Sequence, residues 1–285
     1  MKKNSPLSCL FMAILFLFLY APILVLIAFS FNASKSSAVW TGFTLDWYVQ
    51  LFHDSYILAS LRTTILVSVL ATAVATVAGP AAAIGFYNMK RRPRSILLSV
   101  NNIPLTNADI ITGVSMMLLF VAAFGAFNAT LGQALNIKLS LGFGTLLIAH
   151  ITFDIPYVIL SVLPKLRQLD PNIGEAAQDL GASTWYAFRK VILPELMPGI
   201  VNGMLIAFTM SIDDFVISYF TAGSGANTLS MVVYSMVRRQ ISPKINALST
   251  IMFLVVLALL IVINMRQVHQ ERARQRQRRL ASGKP

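Results

Sequence analysis

Cysteine is all but missing. Cys9 stands alone in 285 residues, which excludes a disulfide framework and a cysteine-based metal cluster. Histidine is scarce too. His53, His150 and His269 fall on opposite sides of the membrane in the topology read below, so no metal site is expected. No Gly-x-x-x-x-Gly-Lys-Ser/Thr run occurs, and without that phosphate cradle any ATP must be hydrolysed by another chain. Nothing in the sequence reads as a catalytic set or a cofactor site. Charge is short as well: charged residues make up 12%, against about 25% in soluble domains. Apolar residues fill the space. They reach 56%, and mean hydropathy is +0.69, more apolar surface than a soluble core of this length hides. A soluble enzyme is excluded. The net charge of +12 would suit nucleic acid, but the basic residues sit at the ends of apolar runs and not on a polar domain face, so no nucleic-acid partner is expected.

A spanning helix needs about 20 mostly apolar residues, and six stretches supply them. Residues 4–34, 63–89 and 245–265 are uncharged; 95–137 contains only Asp109, 139–164 only Asp154, and 196–220 only Asp213 and Asp214. The expectation is an all-α polytopic membrane protein with spans near 10–31, 63–87, 103–127, 142–163, 196–220 and 245–265. These form one membrane domain, 1–265, followed by a basic tail, 266–285. The apolar centre of the first span is 22 residues long; a signal peptide has about 7–15, so this span reads as a retained helix. Placing both termini in the cytoplasm puts 17 of the 23 Lys and Arg residues inside, the orientation the positive-inside rule selects. The Arg- and Gln-rich tail then reads as a cytoplasmic anchor rather than an RNA-binding arm.

One long polar segment interrupts the spans, residues 165–195: KLRQLDPNIGEAAQDLGASTWYAFRKVILPE. Asp170 before Pro171 predicts a helix start, with a capping side chain followed by a first-turn proline. Ile173, Ala176, Ala177 and Leu180 recur at helical spacing. Gly181 suits a C-terminal cap. Ser183 can cap a second short helix over 184–191, after which Pro194 and Pro198 lead back into the membrane. A helix lying on lipid would be basic on its polar face, yet the first helix here carries Glu175 and Asp179. A protein partner is expected, with Ala176 and Ala177 small enough to let its backbone approach.

Glu175-Ala176-Ala177, then Gly181 after three residues, Val191 after nine more, and Leu193-Pro194 resemble the EAA loop of binding-protein-dependent ABC importer permeases. Val191 departs mildly, since isoleucine is commoner there. The resemblance implies a type I ABC importer permease fold in a bacterial inner membrane. It also implies a sister permease in a heterodimer, two ABC ATPase subunits and an extracytoplasmic binding protein. Glu175, Ala176, Ala177, Asp179, Gly181, Leu193 and Pro194 would form the coupling segment seated on the ATPase. Further stretches extend the likeness over nearly all the chain apart from the tail. They are Tyr20-Ala21-Pro22, Ser30-Phe31-Asn32, Trp47-Tyr48, His150-Ile151-Thr152-Phe153, Ser211-Ile212-Asp213-Asp214 and Asn246-Ala247-Leu248. They resemble the spermidine/putrescine branch of the family, of the PotC type.

Four acids lie where lipid should be: Asp109, Asp154, Asp213 and Asp214. An ionised side chain at the bilayer centre costs roughly 2.5–3.5 kcal/mol on insertion scales, and no Lys or Arg in those spans neutralises them. On a continuous helix Asp109 would sit about 22 Å from Arg94 and Asp154 about 16 Å from Lys165, both near mid-depth. A polyamine would justify such acids, because carboxylates along an aqueous path replace part of its hydration and still release it. Asp213 and Asp214 point about 100° apart on a helix, so one is expected to face the path and the other a neighbouring helix. Asp154 follows His150 by four residues, and an i,i+4 pair would give its carboxylate a structural partner. The function expected is import of polyamines, spermidine or putrescine, by alternating access. The alternatives are an ABC permease for another solute and an ATP-independent cation transporter, which would leave the EAA-like segment without a role.

Overall fold

The computed structural model describes residues 6–34, 39–239 and 243–281. Among these residues the chain is helical throughout, and its only β feature is an isolated antiparallel bridge between Asn32 and Phe43. In chain order the helices are α1 (Pro6–Phe29), α2 (Asp46–Phe52), α3 (Ser55–Asn88), α4 (Arg91–Thr106), α5 (Asp109–Ala129), α6 (Leu131–Leu135) and α7 (Phe143–Gln168). They continue with α8 (Ile173–Asp179), α9 (Thr184–Ala187), a π-helical turn (Phe188–Ile192), α10 (Leu193–Asp213), α11 (Val216–Thr221), α12 (Leu229–Arg239) and α13 (Pro243–Ala281). Six segments are long and apolar enough to cross a membrane: Leu10–Phe29, Ser55–Asn88, Asp109–Ala129, Phe143–Gln168, Thr184–Asp213 and Pro243–Val262. The last helix continues past its apolar part through the basic tail to Ala281. The chain divides into two compact units, one of residues 1–59 with 232–285 and one of residues 60–231.

In the first unit the chain leaving α1 is gathered round the buried Asn32. Its amide donates to the Val39 carbonyl (2.7 Å), and its carbonyl oxygen accepts the Thr41 N–H (3.0 Å). Trp47 donates its ring N–H to the Asn32 main-chain carbonyl (2.8 Å). Asp54 then starts α3. One carboxylate oxygen accepts the Tyr56 and Ile57 N–H groups (3.1 and 3.3 Å), and the other takes the Lys244 ammonium from the first turn of α13. The Lys244 hydrogen bond holds the Asp54 carboxyl below its usual range.

The second unit is built on α7, which buries Leu146, Ala149, His150, Phe153, Asp154, Val158, Val162 and Leu166. Small residues let its neighbours approach. Gly199 and Gly203 of α10 lie against Ser161, Val162 and Val158, and a Cβ at Gly203 would stand 2.9 Å from the Val158 Cα. Gly79 of α3 does the same, with a Cβ there 2.6 Å from Val158 Cγ1. Such close backbone approach is how helices gain van der Waals contact where lipid supplies no hydrophobic drive.

Two details depart from the sequence expectation. The third span is not continuous across Asp109: α4 ends at Thr106, Asn107 is extended (φ −77°, ψ 154°), and α5 begins at Asp109. A depth counted along one helix from Arg94 therefore does not hold. Asp170 also does not open a helix. Its carboxylate accepts the Asn172 N–H (2.9 Å) in a turn, and α8 begins only at Ile173.

Candidate functional site

Two regions of the second unit carry the residues singled out from the sequence. The first is the segment between α7 and α10. Its α8 ends in a Schellman motif: Ala182 N–H bonds the Ala177 carbonyl (3.1 Å), Gly181 N–H bonds the Gln178 carbonyl (2.8 Å), and Gly181 adopts φ +89°. That left-handed conformation favours glycine, because any Cβ crowds the backbone there. Ser183 caps α9 by accepting the Tyr186 N–H (3.3 Å). The π-turn follows where Pro194, on entering α10, has no N–H to return to the Lys190 carbonyl and crowds it with its ring. The second short helix is therefore α for only four residues before the turn widens. Ala177, Leu180, Gly181, Ser183, Tyr186 and Val191 line a shallow groove. Glu175, Ala176 and Asp179 are exposed, and Leu180 is 90% exposed. Trp185 and Tyr186 are exposed on the same segment.

The second region is a break in the fifth span. Helix α10 stops at Asp213, Asp214 is extended (φ −64°, ψ 124°), and α11 resumes at Val216. Asp214 closes the break from within. One carboxylate oxygen accepts the Ile217 N–H (3.2 Å) and the other the Ser218 N–H (2.7 Å). His150 of α7, 2% exposed, lies beside it with Nε2 3.6 Å from the Asp214 carboxylate. The same ring bonds Ser211 Oγ through Nδ1 (2.7 Å) and Ser218 Oγ through Nε2 (3.0 Å). Asp213 points elsewhere and is exposed. Asp154 is fully buried one turn along α7, and neither of its carboxylate oxygens has a hydrogen-bond partner among the described residues. Asp109, exposed at the first turn of α5, lies one turn before Gly113. A Cβ at Gly113 would stand 3.3 Å from the Val216 carbonyl, so α5 and α11 touch beside the break. Tyr157 of α7 is within electrostatic reach of both Asp109 and Asp154, and Asp214 of both Asp154 and Asp213.

The tertiary structure thus gathers all four acids around one helix break and divides them by exposure. Asp109 and Asp213 are open; Asp154 and Asp214 are turned inward. The expected His150–Asp154 pair does not form, because both ring nitrogens are taken by serines and Asp154 is left alone. Sequence reasoning missed Ser211 and Ser218. Their seven-residue spacing, two turns on one helical face, was the available signal, and nothing in it pointed to a histidine on another span.

Residues 75–276 match the family described as binding-protein-dependent transport system inner membrane component. The chain belongs to this family. It is a multi-pass inner-membrane permease subunit of an ABC importer, and not an enzyme. Among curated relatives, the permease is 39% identical to the putrescine transport system permease protein PotI of Escherichia coli K12, over 87% of this chain and 86% of the relative. It is 35% identical to the spermidine/putrescine transport system permease protein PotC of the same strain, over 89% and 90%. The Haemophilus influenzae PotC protein is 34% identical over 88% and 93%. A solved structure of a bacterial ABC transporter that imports the polysaccharide alginate superposes with a TM-score of 0.69 at 16% identity, covering 92% of this chain and 94% of the other. The MetNI methionine transporter superposes at 0.56 with 17% identity, over 81% and 98%. These two establish the permease fold alone.

Proposed function

We propose that this permease carries polyamines, spermidine or putrescine, into the cytoplasm by alternating access. In this reading it pairs with a sister permease, two ATPase subunits and an extracytoplasmic binding protein. The observation that carries the reading is the set of acids at the break in the fifth span. Residues 109–129, 143–164 and 193–221 contain no Lys or Arg, so a substrate meeting Asp109 and Asp213 there finds negative charge unopposed by a basic side chain of those spans. An ionised acid at the bilayer centre costs roughly 2.5–3.5 kcal/mol, and an oligocation in transit offsets a cost of that kind. The polyamine permeases among its relatives support the same substrate class.

The exposed segment from Glu175 to Gly181 is the coupling element. It docks on the ATPase through Glu175, Ala176, Ala177, Asp179 and Leu180, and passes ATPase closure through the π-turn, Leu193 and Pro194 into α10. Helix α10 ends at the acids, so one helix joins the coupling segment to the pathway. Residues 1–265 form the permease domain and 266–285 a cytoplasmic tail, with both termini inside as the positive-inside rule requires.

The test is uptake of labelled spermidine by proteoliposomes holding the assembled importer, with and without ATP. ATP-dependent uptake that falls at least about tenfold in Asp213→Asn and Asp109→Asn, with capture by the binding protein unchanged, supports the proposal. Uptake that ignores both substitutions removes the acids from the pathway. Absence of spermidine uptake, with ATPase activity still raised by another loaded binding protein, overturns the substrate.

A further inference from the structure

Ser211-Ile212-Asp213-Asp214-Phe215-Val216 contains neither glycine nor proline, and residues of these types lose only tenths of a kcal/mol against alanine in a helix, up to about 0.7. Asp214 caps the helix beyond the break through the Ile217 and Ser218 N–H groups, but an aspartate is also tolerated inside a helix, so tertiary bonds decide between the capped break and a continuous span. We propose that His150 is the positioning residue that holds this break open and thereby keeps Asp214 inward and Asp213 exposed. The inference rests on the polyamine-pathway reading only for its consequence in transport, not for its geometry.

In an unbroken helix Ser211 and Ser218 would stand two turns, about 10.5 Å, apart along the axis, too far for one imidazole to bond both. Here one ring does bond both, at 2.7 and 3.0 Å. With the backbone between Ser211 and Asp214, the bonds form a circuit. Ser218 also approaches the Asp214 main-chain carbonyl (3.3 Å) as a donor, so its oxygen is free to accept from Nε2–H, while Ser211 donates its hydroxyl proton to Nδ1. A neutral imidazole has one donor and one acceptor, and the tautomer that completes this circuit carries its proton on Nε2. Ser211 is 2% exposed and Ser218 fully buried, so without the ring both hydroxyls lose a buried partner. The circuit reaches the residue before the break, the residue beyond it and the backbone within it. Restoring a continuous helix would break it, carry Asp214 out of its inward position and re-seat Phe215 and α11 beside Asp213, changing the exposure of that last residue of α10.

The test reads Asp213's position directly, in the assembled importer with Cys9→Ser and Asp213→Cys. The probe is a small water-soluble cationic methanethiosulfonate. His150→Leu keeps apolar volume without the bonds, and His150→Gln restores a donor and an acceptor. The expected result is a change of about tenfold in labelling rate for Leu, the scale of losing a buried hydrogen-bond partner, with Gln within about threefold of the histidine parent. The Ser211→Ala/Ser218→Ala pair should reproduce the Leu result, and it carries the test if His150→Leu fails to assemble. Labelling unchanged in both Leu and the serine pair overturns the proposal, as does a Leu variant that matches the parent while Gln does not. In chains that retain Asp213, His150→Leu should raise the KM for spermidine uptake more than it lowers kcat, and His150→Gln should recover it. Failure of the parent to import spermidine would overturn the substrate reading and leave the labelling result standing.

Discussion

Gly203 offers the sharpest check on how α10 is seated on α7. An alanine Cβ there would lie 2.9 Å from the Val158 Cα, 3.1 Å from Ser161 Cβ and 3.3 Å from Val158 Cγ1. Carbon atoms rest about 3.5–4.0 Å apart, so the nearest contact is short by about 0.6 Å or more, and against backbone that has no rotamer to yield. Overpacking of this kind costs typically 1–3 kcal/mol. Alanine recovers about 0.8–1.0 kcal/mol of helix propensity over glycine, leaving a net loss of roughly 0–2 kcal/mol. Gly125 of α5 supplies the control, because a Cβ there meets nothing within 4 Å. Gly125→Ala keeps the propensity gain without the clash, so the difference between the two variants isolates the overpacking at about 1–3 kcal/mol. Unfolding by SDS in micelles, followed by far-UV circular dichroism, measures it. Equal stability of the two variants, within about 0.3 kcal/mol, would refute the close seating of α10 on α7. Since α10 ends at Asp213, Gly203→Ala should also lower spermidine uptake.

Three further outcomes follow from the structure. Gly181→Ala places a Cβ on a residue at φ +89°, a strain of roughly 1–2 kcal/mol; it should leave the chain assembled but reduce ATPase stimulation by the loaded binding protein, measured as phosphate release. Asn32→Ala removes the hydrogen bonds to the Val39 carbonyl and from the Thr41 N–H, about 0.5–1.5 kcal/mol each, and should lower the thermal midpoint, whereas loss confined to transport would contradict a structural role. Lys244 lowers the folded-state pKa of Asp54, so their pairing stabilises fully above the ordinary carboxylate value of about 4 and fades as pH falls through the lower folded value. A pH series of unfolding midpoints should therefore drop less steeply below about pH 4 in Asp54→Asn; an unchanged acid slope would show that the pair contributes nothing.

Much of the fold is legible because the membrane imposes a coarse requirement. A run of apolar residues long enough to cross must satisfy its own backbone, and only a helix does so within one segment. Hence the six spanning helices can be read from uncharged runs alone. The turn between α8 and α9 is legible for a local reason: Gly181 takes a conformation that side chains resist, and Ser183 supplies an oxygen to free N–H groups. The two helix breaks differ. The one before Asp109 follows Pro104 and Asn107, residues that weaken a helix where they stand. The one at Asp214 has only a capping aspartate, a mark that Asp213 beside it carries equally.

Composition and local chemistry therefore determine by themselves that the described residues hold six helices able to cross a membrane, where the segment between α7 and α10 turns, and that four acids lie in or beside those spans. Only the tertiary structure decides which of those acids are exposed and which are turned inward. His150 sits 61 residues before Ser211 and 68 before Ser218 in the chain, and the bonds that hold the fifth span open exist only once α7 packs against α10 and α11. A helix break held partly from another helix leaves little trace in its own sequence, because much of the energy that favours it is a contact between residues that the sequence places far apart.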